Sequence, residues 1–339
     1  MGGTVPLGLM LGCVSGTPIE YWVRDAADVA ACGNITGRCW NATVSPGTGL
    51  ANLYRTDIQP FADAGLGISA MVWDQAESDV NCHPQQQQPP RLGGDSTYTC
   101  LQKALISGWR KAFTRPPPRP GALATAPPIP WVGVQLPGYV RGFFPAENGV
   151  FDMRLAQAAG VEGVPAAAIV PTYDLSCAPP YHCPWTPIHP PDKEDVGARI
   201  AQQLRRLVLH DPRVAMEEGP TAAMASVTAG AANTSVVSVK FDVTAKPLAL
   251  HPTRNCTSCC AEGGSDFGVS VDGGENWVMA NDPGHTEGPL VVQFAVNLTL
   301  NKTVKARVRY TAARGFPQCA VVDARGLPAF PFQMDVQRG

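Results

Sequence analysis

The sequence predicts an α/β domain, built on a parallel sheet flanked by helices, followed by a β-sandwich-like domain. Short apolar runs alternate with amphipathic segments over about the first two-thirds of the chain, which is the pattern of a parallel sheet with helices on its faces. After about residue 217, apolar and polar residues alternate one by one, which is the period of a half-buried strand. We therefore place one domain at residues 1–215 and a second, β-rich domain at residues 216–339.

The elements of the first domain follow from runs of apolar residues and from their spacing. Four short apolar runs are predicted to be buried strands of the parallel sheet: Val5–Val14, Gly67–Gln75, Trp131–Leu136 and Ala166–Leu175. Two longer segments carry apolar residues on one helical face and are predicted to be amphipathic helices: Thr97–Thr114 and Lys193–His210.

The second domain is predicted from three segments with strand periodicity. Apolar and polar residues alternate between Val237 and Val243, and the same period recurs in Val292–Leu300 and Val304–Tyr310. The basic residues of the third segment are expected to face solvent: Lys305, Arg307 and Arg309. Several short strands of this kind favour a sandwich.

Composition excludes several classes of protein. Hydrophobic residues make up 45% of the 339 residues, which is enough for a substantial core. The formal net charge is −2 and only 16% of residues are charged, so the chain lacks the basic surface that nucleic acid requires. No run of 18 apolar residues occurs, so we predict no membrane span.

Sequons and cysteines together indicate the secretory pathway, with an extracellular or lysosomal destination. The chain has eleven cysteines and six Asn-x-Ser/Thr sequons. The candidate glycosylation sites are Asn34, Asn41, Asn233, Asn255, Asn297 and Asn301. The apolar run Val5–Val14 lacks a preceding Lys or Arg, so we interpret it as a strand and not as a signal peptide.

The spacing of the cysteines predicts local disulfides. The expected pairs are Cys32–Cys39, Cys82–Cys100 and Cys177–Cys183, with a second set formed by Cys256, Cys259, Cys260 and Cys319. Cys13 is left over and is predicted to be a buried thiol in the first strand. The alternative for the second set is a zinc site, but neither another Cys-x-x-Cys pair nor a paired His follows it, so we predict no metal.

Four blocks, in order along the chain, resemble the sialate O-acetylesterase family of SGNH-type serine hydrolases. They are Gly16-Thr17-Pro18-Ile19-Glu20-Tyr21-Trp22, Trp73-Asp74-Gln75-Ala76-Glu77-Ser78-Asp79, Gly133-Val134-Gln135-Leu136-Pro137 and Pro187-Ile188-His189-Pro190-Pro191-Asp192-Lys193. The resemblance covers most of residues 4–335 and implies an SGNH-hydrolase-like sheet. It also implies metal-free removal of O-acetyl groups from sugars, with no cofactor.

The resemblance assigns roles to individual residues. His189 corresponds to the general base, on a loop before an amphipathic helix from which it can reach the edge of the sheet. Gly16 resembles the glycine whose N–H helps to form the oxyanion hole. Gln75 is a candidate amide donor to the oxyanion or the acetyl group, and Glu77 is expected to order the same loop. The second block departs from the family, because Asp74, Ala76 and Asp79 stand where the family has Tyr, Gly and Asn.

The acid of the expected Ser-His-Asp triad has two candidates. Related hydrolases place an Asp three residues before the His, but Thr186 stands there. Asp174, at the end of a predicted strand, is the first candidate for orienting the imidazole. Asp192 is the second, although we expect it to cap the following helix.

The nucleophile is not apparent in this chain. The family's serine lies in a Gly-Gln-Ser-Asn motif upstream of the glycine block, and this chain begins at that block. Gly94-Asp95-Ser96 imitates the Gly-Asp-Ser of the wider superfamily, but it follows the Gln75 block, so we interpret Ser96 as a helix N-terminal residue. We expect the chain as given to lack the catalytic serine and to be inactive as an esterase.

Three functions are compatible with these observations. The first is a sialate O-acetylesterase-like carbohydrate esterase whose partner is an O-acetylated sugar. The second is an acetylesterase for polysaccharides, and the third is a non-catalytic carbohydrate-binding or structural glycoprotein. The sequence does not predict an oligomeric state.

Overall fold

The computed structural model describes residues 8–33, 49–80, 97–113, 128–138, 149–176, 189–211, 219–231, 233–243, 245–252, 265–298, 305–311 and 319–338. Several predicted features lie outside these ranges: Asn34, Asn41, Asn255, Asn301, Ser96, and the cysteines Cys39, Cys82, Cys177, Cys183, Cys256, Cys259 and Cys260.

A three-stranded parallel sheet forms the centre of the first part of the chain. Its strands lie in the order β1 (Met71–Asp74), β2 (Trp131–Val134) and β3 (Ala167–Val170). All three fall within predicted strand segments. Every residue of β2 is buried, as expected of a central strand covered on both faces.

Among the described residues, five α-helices accompany this sheet. Two short ones, α1 (Ala26–Ala31) and α2 (Gln59–Asp63), precede β1. The longer ones are α3 (Thr97–Ala112), α4 (Gly149–Val161) and α5 (Lys193–Leu209). The predictions of α3 and α5 are confirmed to within two residues, because their apolar residues repeat at helical spacing.

Four tryptophans pack together beneath the parallel sheet. The Trp73 ring lies 5.8 Å from Trp22, 5.7 Å from Trp109 and 6.1 Å from Trp131, measured between centroids. The contacts with Trp22 and Trp109 are edge-to-face, which is a favourable arrangement for aromatic rings. This cluster joins β1 and β2 to α3.

The rest of the described chain is β-rich. The strands are β4 (Thr221–Ala229), β5 (Ser235–Asp242), β6 (Ala249–Pro252), β7 (Phe267–Ser270), β8 (Val278–Met279), β9 (His285–Glu287), β10 (Val291–Val296), β11 (Arg307–Tyr310), β12 (Cys319–Val322) and β13 (Phe332–Arg338). Strands β6 and β12 form a two-stranded sheet, and the others form an eight-stranded sheet; both sheets contribute to one hydrophobic cluster. Neighbouring strands in the larger sheet are antiparallel, except that β13 and β4 are parallel.

The prediction of a buried first strand is wrong over the residues described. Residues 8–14 form no strand, and Leu9 and Leu11 are each 84% exposed. Cys13, predicted to be a buried thiol, is an exposed free cysteine. An apolar run alone does not specify a strand, because a strand also needs a neighbour to pair with its backbone.

Two of the predicted disulfides are wrong. Cys32, which follows α1, pairs with Cys100 of α3, with the Cα atoms 5.5 Å apart. This bond replaces the predicted local pairs Cys32–Cys39 and Cys82–Cys100. Cys319 is also disulfide-bonded. Disulfide pairing follows proximity in the fold, which cysteine spacing does not supply.

One basic residue of β11 is not on the solvent side as predicted. Lys305 is exposed, but Arg309 is only 7% exposed. Its guanidinium carbon lies 4.2 Å from the centroid of the Trp277 ring. The attraction between a cation and an aromatic face offsets part of the free energy that this burial costs. Alternation within a strand did not predict the burial, because it does not show that Trp277 lies nearby.

Within the described ranges, no helix combines the length and apolar character needed to cross a membrane.

Candidate active site

The candidate site lies where the parallel strands end. Asp74, Val134 and Val170 close β1, β2 and β3, and the register places Asp74 beside Val134 and Val134 beside Val170. The three loops that follow therefore leave the sheet at the same edge. In α/β proteins this carboxyl edge is where ligands bind.

Gln75, the first residue after β1, is held by other protein groups. Its Nε2 donates to the Thr17 carbonyl oxygen at 3.0 Å and also to the Asp79 carboxylate. Its Oε1 accepts a hydrogen bond from the Tyr98 hydroxyl at 3.2 Å. Because both donors of an amide are engaged in this way, the Gln75 side chain orders the loop in this structure. Its role as a donor to the oxyanion or the acetyl group stays a prediction.

Asp79 joins the loop after β1 to the glycine block. Its carboxylate is fully buried and accepts a hydrogen bond from the Ile19 backbone N–H at 3.1 Å. Nearby, the Trp22 indole donates to the Thr17 hydroxyl at 3.0 Å. The first two sequence blocks that carried the family resemblance are therefore in direct contact.

Gln157 of α4 joins the loops after β1 and β2. Its Nε2 lies 3.0 Å from both the Gln75 and the Val134 carbonyl oxygens, and its Oε1 accepts from the Leu136 N–H at 2.8 Å. The side chain is 1% exposed. A buried amide that uses donors and acceptor alike fixes the two loops relative to each other.

Gly16 lies in an exposed turn with φ of +70°. No atom lies within 4 Å of the position that a Cβ would occupy. The left-handed backbone is therefore the physical reason for glycine at this position, and not crowding. Its proposed role as an oxyanion donor stays a prediction.

Ala76 adopts a backbone conformation that suits glycine better. Its φ is +141°, and the residue is fully buried at the start of the short 3₁₀ helix Glu77–Asp79. An L-residue in this region is strained, and such strain is common at functional sites. The family that the sequence resembles has Gly at this position, and the Ala of this chain carries a conformational cost.

Two acidic residues of this loop have raised pKa values. Burial, followed by the neighbouring charge of Asp74, raises the pKa of Glu77 to about 7. Asp74 retains exposed surface, but partial desolvation raises the pKa of its carboxyl group as well. Electrostatic interactions with Lys193 and His189 lower the pKa of both carboxyl groups and so oppose part of this rise. A carboxyl group that titrates near neutrality is typical of general acid–base sites.

His189 is exposed and lies just before α5. Asp192, the second candidate for the triad acid, is the N-cap of α5, and its carboxylate accepts a hydrogen bond from the Asp195 N–H at 3.4 Å. The prediction that Asp192 caps this helix is confirmed. A capping carboxylate stabilises the start of α5, and with it the end of the loop that carries His189.

Asp174, the first candidate for the triad acid, pairs with Arg199 of α5. Its two carboxylate oxygens accept from the two terminal guanidinium nitrogens at 2.7 and 2.6 Å. Arg199 also donates to the Pro171 carbonyl oxygen at 2.7 Å. These hydrogen bonds fasten the loop after β3 to α5. Asp174, which was predicted to orient His189, is thus bound to Arg199.

The sequence did not identify several residues on which this geometry depends. Tyr98 of α3 and Gln157 of α4 belong to none of the four sequence blocks, and no helix was predicted around Gln157. Arg199 follows the His189 block, but the sequence did not indicate its contact with Asp174. The described residues include no group of three or more His, Cys, Asp or Glu side chains that could hold a metal ion.

Comparison with known proteins adds sequence and fold relatives. No protein-family model matches the chain. The sialate O-acetylesterases of Homo sapiens and Pongo abelii are each 25% identical to it over 246 aligned positions, and the match covers 63% of this chain and 38% of theirs. The chain therefore spans well under half the length of these curated relatives.

A solved structure is similar over almost the whole chain. The crystal structure of a carbohydrate acetylesterase from Xanthomonas citri superposes with a TM-score of 0.60 at 20% identity. The match covers 94% of this chain and 59% of the Xanthomonas protein, and at this identity it establishes similarity of fold. The chain is therefore similar in sequence to the sialate O-acetylesterases of Homo sapiens and Pongo abelii, and similar in fold to a carbohydrate acetylesterase.

Proposed function

We propose that this chain belongs to a carbohydrate esterase that removes O-acetyl groups from sialic acids or other sugars. The observation that supports this most is the contact between the glycine block and the loop after β1, where the Asp79 carboxylate accepts a hydrogen bond from the Ile19 N–H. This loop leaves the carboxyl edge of the parallel sheet, which is where ligands bind in α/β proteins. His189, which corresponds to the family's general base, lies just before α5. Ester hydrolysis by a serine requires such a base, the nucleophile and donors to the oxyanion.

In this proposal His189 is the general base. Its imidazole takes the proton of the nucleophilic hydroxyl as that oxygen attacks the acetyl carbonyl, and returns the proton to the departing sugar oxygen. The N–H of Gly16 donates to the oxyanion that forms. Gln75 fixes the loop after β1, since both of its amide donors bind protein groups.

The acid that supports the imidazolium is proposed to come from the loop after β1. Asp74 ends β1 at the carboxyl edge of the sheet, and Glu77 lies three residues further on, whereas the Asp174 carboxylate is bound at both oxygens by Arg199. Asp174 then acts on the site by fixing α5. An SGNH arrangement of the sheet, with domains at residues 1–215 and 216–339 and residence in the secretory pathway, belongs to the same proposal.

The nucleophile is proposed to be a serine. In the family it lies in a Gly-Gln-Ser-Asn motif ahead of the glycine block. The test therefore compares two versions: the chain as given and an extended version with a Gly-Gln-Ser-Asn segment ahead of Met1. The competing function is a non-catalytic carbohydrate-binding glycoprotein.

The test is an esterase assay of both versions with an aryl acetate and with O-acetylated sialic acid. In the extended version, His189→Ala should lower kcat/KM by about two to four orders of magnitude, as expected for a general base. His285→Ala, in the exposed strand β9, is the matched control and should leave the rate unchanged. Turnover by the short chain that Ser96→Ala abolishes would identify Ser96 as the nucleophile instead. If neither version hydrolyses either ester, but both bind acetylated sugar, the non-catalytic function is the correct one.

A further inference from the structure

Two buried side chains connect the parallel-sheet part to the β-rich region, which we define as the described residues from Gly219 to Arg338. They are Tyr173, three residues after β3, and Arg154 of α4, and both are fully buried. Each side chain contacts a loop at the carboxyl edge of the sheet, or belongs to one, and each also binds a backbone carbonyl of the β-rich region.

Tyr173 is bound by the β-rich region through its hydroxyl group and its ring. The hydroxyl donates to the Ala329 carbonyl oxygen at 2.7 Å and lies 3.3 Å from the Tyr310 hydroxyl. The Tyr310 hydroxyl in turn accepts from the Val321 N–H at 2.7 Å. The Tyr173 ring belongs to the hydrophobic cluster of the β-rich region. The residue that immediately precedes Asp174 is therefore part of a different core from the sheet it follows.

Arg154 holds the loop after β2. Its guanidinium donates to the Leu136 carbonyl oxygen at 2.8 Å and to the Pro137 carbonyl oxygen at 2.5 Å. A third bond reaches the Thr311 carbonyl oxygen of the β-rich region at 3.4 Å. The Arg154 guanidinium also lies 5.8 Å from the centroid of the Tyr173 ring. The planar, branched guanidinium presents its donors in a fixed fork, whereas the ammonium of a lysine is a compact charge on a flexible stem.

Thr311 is strained at the point of contact. Its φ is +69°, and the residue is fully buried. A β-branched residue in the left-handed region is an outlier that costs of order 1–3 kcal/mol and persists only where the surroundings impose it. The strained Thr311 backbone indicates that the fold maintains the contact between Arg154 and Thr311 at an energetic cost.

The placement of Tyr173 continues to the loop that carries His189. Asp174 follows Tyr173 directly and binds Arg199 with both carboxylate oxygens. Arg199 also binds the Pro171 carbonyl oxygen, so α5 is fixed to both ends of the segment 171–174. Since α5 begins at Lys193, shortly after His189, its position limits where the imidazole can lie.

We propose that Tyr173 and Arg154 are positioning residues through which the β-rich region fixes the loops of the esterase site. Tyr173 acts on His189 through Asp174, Arg199 and α5, and Arg154 acts on the loop after β2. The β-rich region is thus required for the geometry of the site. This inference rests on the proposed function, but its physical content can be measured without turnover.

The test compares Tyr173→Phe with Ile106→Val in the full chain. Tyr173→Phe removes one hydroxyl and keeps the ring. Ile106→Val removes one methyl group from the buried face of α3 and costs about 1 kcal/mol, similar to a lost hydrogen bond. Hydrogen exchange is measured at the backbone amides of Leu136 and Leu175. The Leu136 N–H donates to Gln157 Oε1 of α4, and the Leu175 N–H donates to the Thr172 carbonyl oxygen. The imidazole resonances of His189 give a second, spectroscopic measurement.

We expect Tyr173→Phe to speed exchange at Leu175 by about 3- to 10-fold, the factor that corresponds to a net hydrogen bond, and to shift the His189 resonances. Ile106→Val should change neither beyond its effect on global stability. Arg154→Lys is the second variant, and it should speed exchange at Leu136 in particular. The proposal is overturned if Tyr173→Phe behaves as Ile106→Val does, or if both alter the loops equally.

Esterase assays of the extended version separate this inference from the proposed function. A fall in kcat with KM unchanged in Tyr173→Phe supports both. Faster loop exchange in a protein that hydrolyses no ester supports the positioning role and contradicts the proposed function. Full turnover in Tyr173→Phe, with unchanged exchange, contradicts the positioning role alone.

Discussion

Asp174 and Arg199 form a bidentate ion pair in which the two side chains are only 13% and 11% exposed. Removal of one partner from such a pair leaves an unpaired charge in a largely desolvated position. We expect Asp174→Asn to lower the free energy of unfolding by about 2–4 kcal/mol, measured by urea denaturation.

A more exposed ion pair provides the control. The Arg307 Nε lies 3.2 Å from the Asp335 carboxylate, but the Asp335 side chain is 66% exposed. Asp335→Asn should therefore cost less than about 1 kcal/mol. Equal losses in the two variants would show that the Asp174–Arg199 pair contributes no more than a surface contact.

Glu77 predicts a pH dependence of stability. Its pKa is about 7 in the folded chain, whereas the ordinary pKa of a glutamate is 4.5. The folded state therefore binds the proton more tightly than the unfolded state. Stability is therefore highest below about pH 4.5 as far as this group is concerned, and falls as pH rises towards 7. Glu77→Gln removes this loss. Relative to the wild type, the variant should gain about 1–3 kcal/mol between pH 5 and pH 8.

The control for Glu77 is Glu194→Gln, which changes an exposed glutamate in the first turn of α5. Thermal unfolding of the three proteins at several pH values measures the effect. A constant difference between Glu77→Gln and the wild type across this range would contradict the raised pKa.

The Cys32–Cys100 disulfide predicts a redox dependence of stability. The bond closes a segment with a sequence separation of 68 residues, so it restricts the unfolded chain considerably. The chain-entropy model gives a contribution of about 4 kcal/mol for a loop of this length. Chain produced with a secretory leader should form the bond, and Cys32→Ser/Cys100→Ser should unfold at a correspondingly lower urea concentration.

Peptide mapping under non-reducing conditions identifies the pair directly. The expected product joins the Cys32 and Cys100 peptides. Recovery of Cys32 joined to Cys39 instead would restore the pairing that local spacing suggested. The exposed Cys13 should react with a thiol reagent in the folded protein.

Where the sequence predicted the fold well, the pattern itself had a physical cause. The helices α3 and α5 and the strand β5 each bury one face, so apolar residues repeat at 3.6 or 2 residues. Burial of Arg309 depends on Trp277, which lies in the turn between β7 and β8. The Cys32–Cys100 pair depends on the position of α1 relative to α3. These relationships are tertiary, and no local pattern contains them.

The candidate site was predicted to a similar degree. The family resemblance directed attention to the loops that carry Gln75, Glu77 and His189. It did not indicate that Gln75 is engaged by Thr17 and Asp79, or that Asp174 binds Arg199. Hydrogen bonds between distant loops depend on side-chain placement in the folded state, which single positions in a sequence do not specify.

Ala76 provides a direct test of backbone strain in the loop after β1. Its φ of +141° disfavours any side chain, and a β-branched one most of all. Ala76→Gly relieves the strain, which offsets the lost methyl group and the added freedom of the unfolded chain, so stability should change by less than about 1 kcal/mol. Ala76→Val adds volume at a fully buried position and worsens the strain, and should cost more than about 2 kcal/mol. Urea denaturation of both variants measures the difference, with Ala225→Val, at a fully buried position of β4, as the control for added volume in an ordinary strand backbone. If Ala76→Val is no less stable than Ala225→Val, the backbone at position 76 carries no special strain, and the departure from glycine there has no conformational cost.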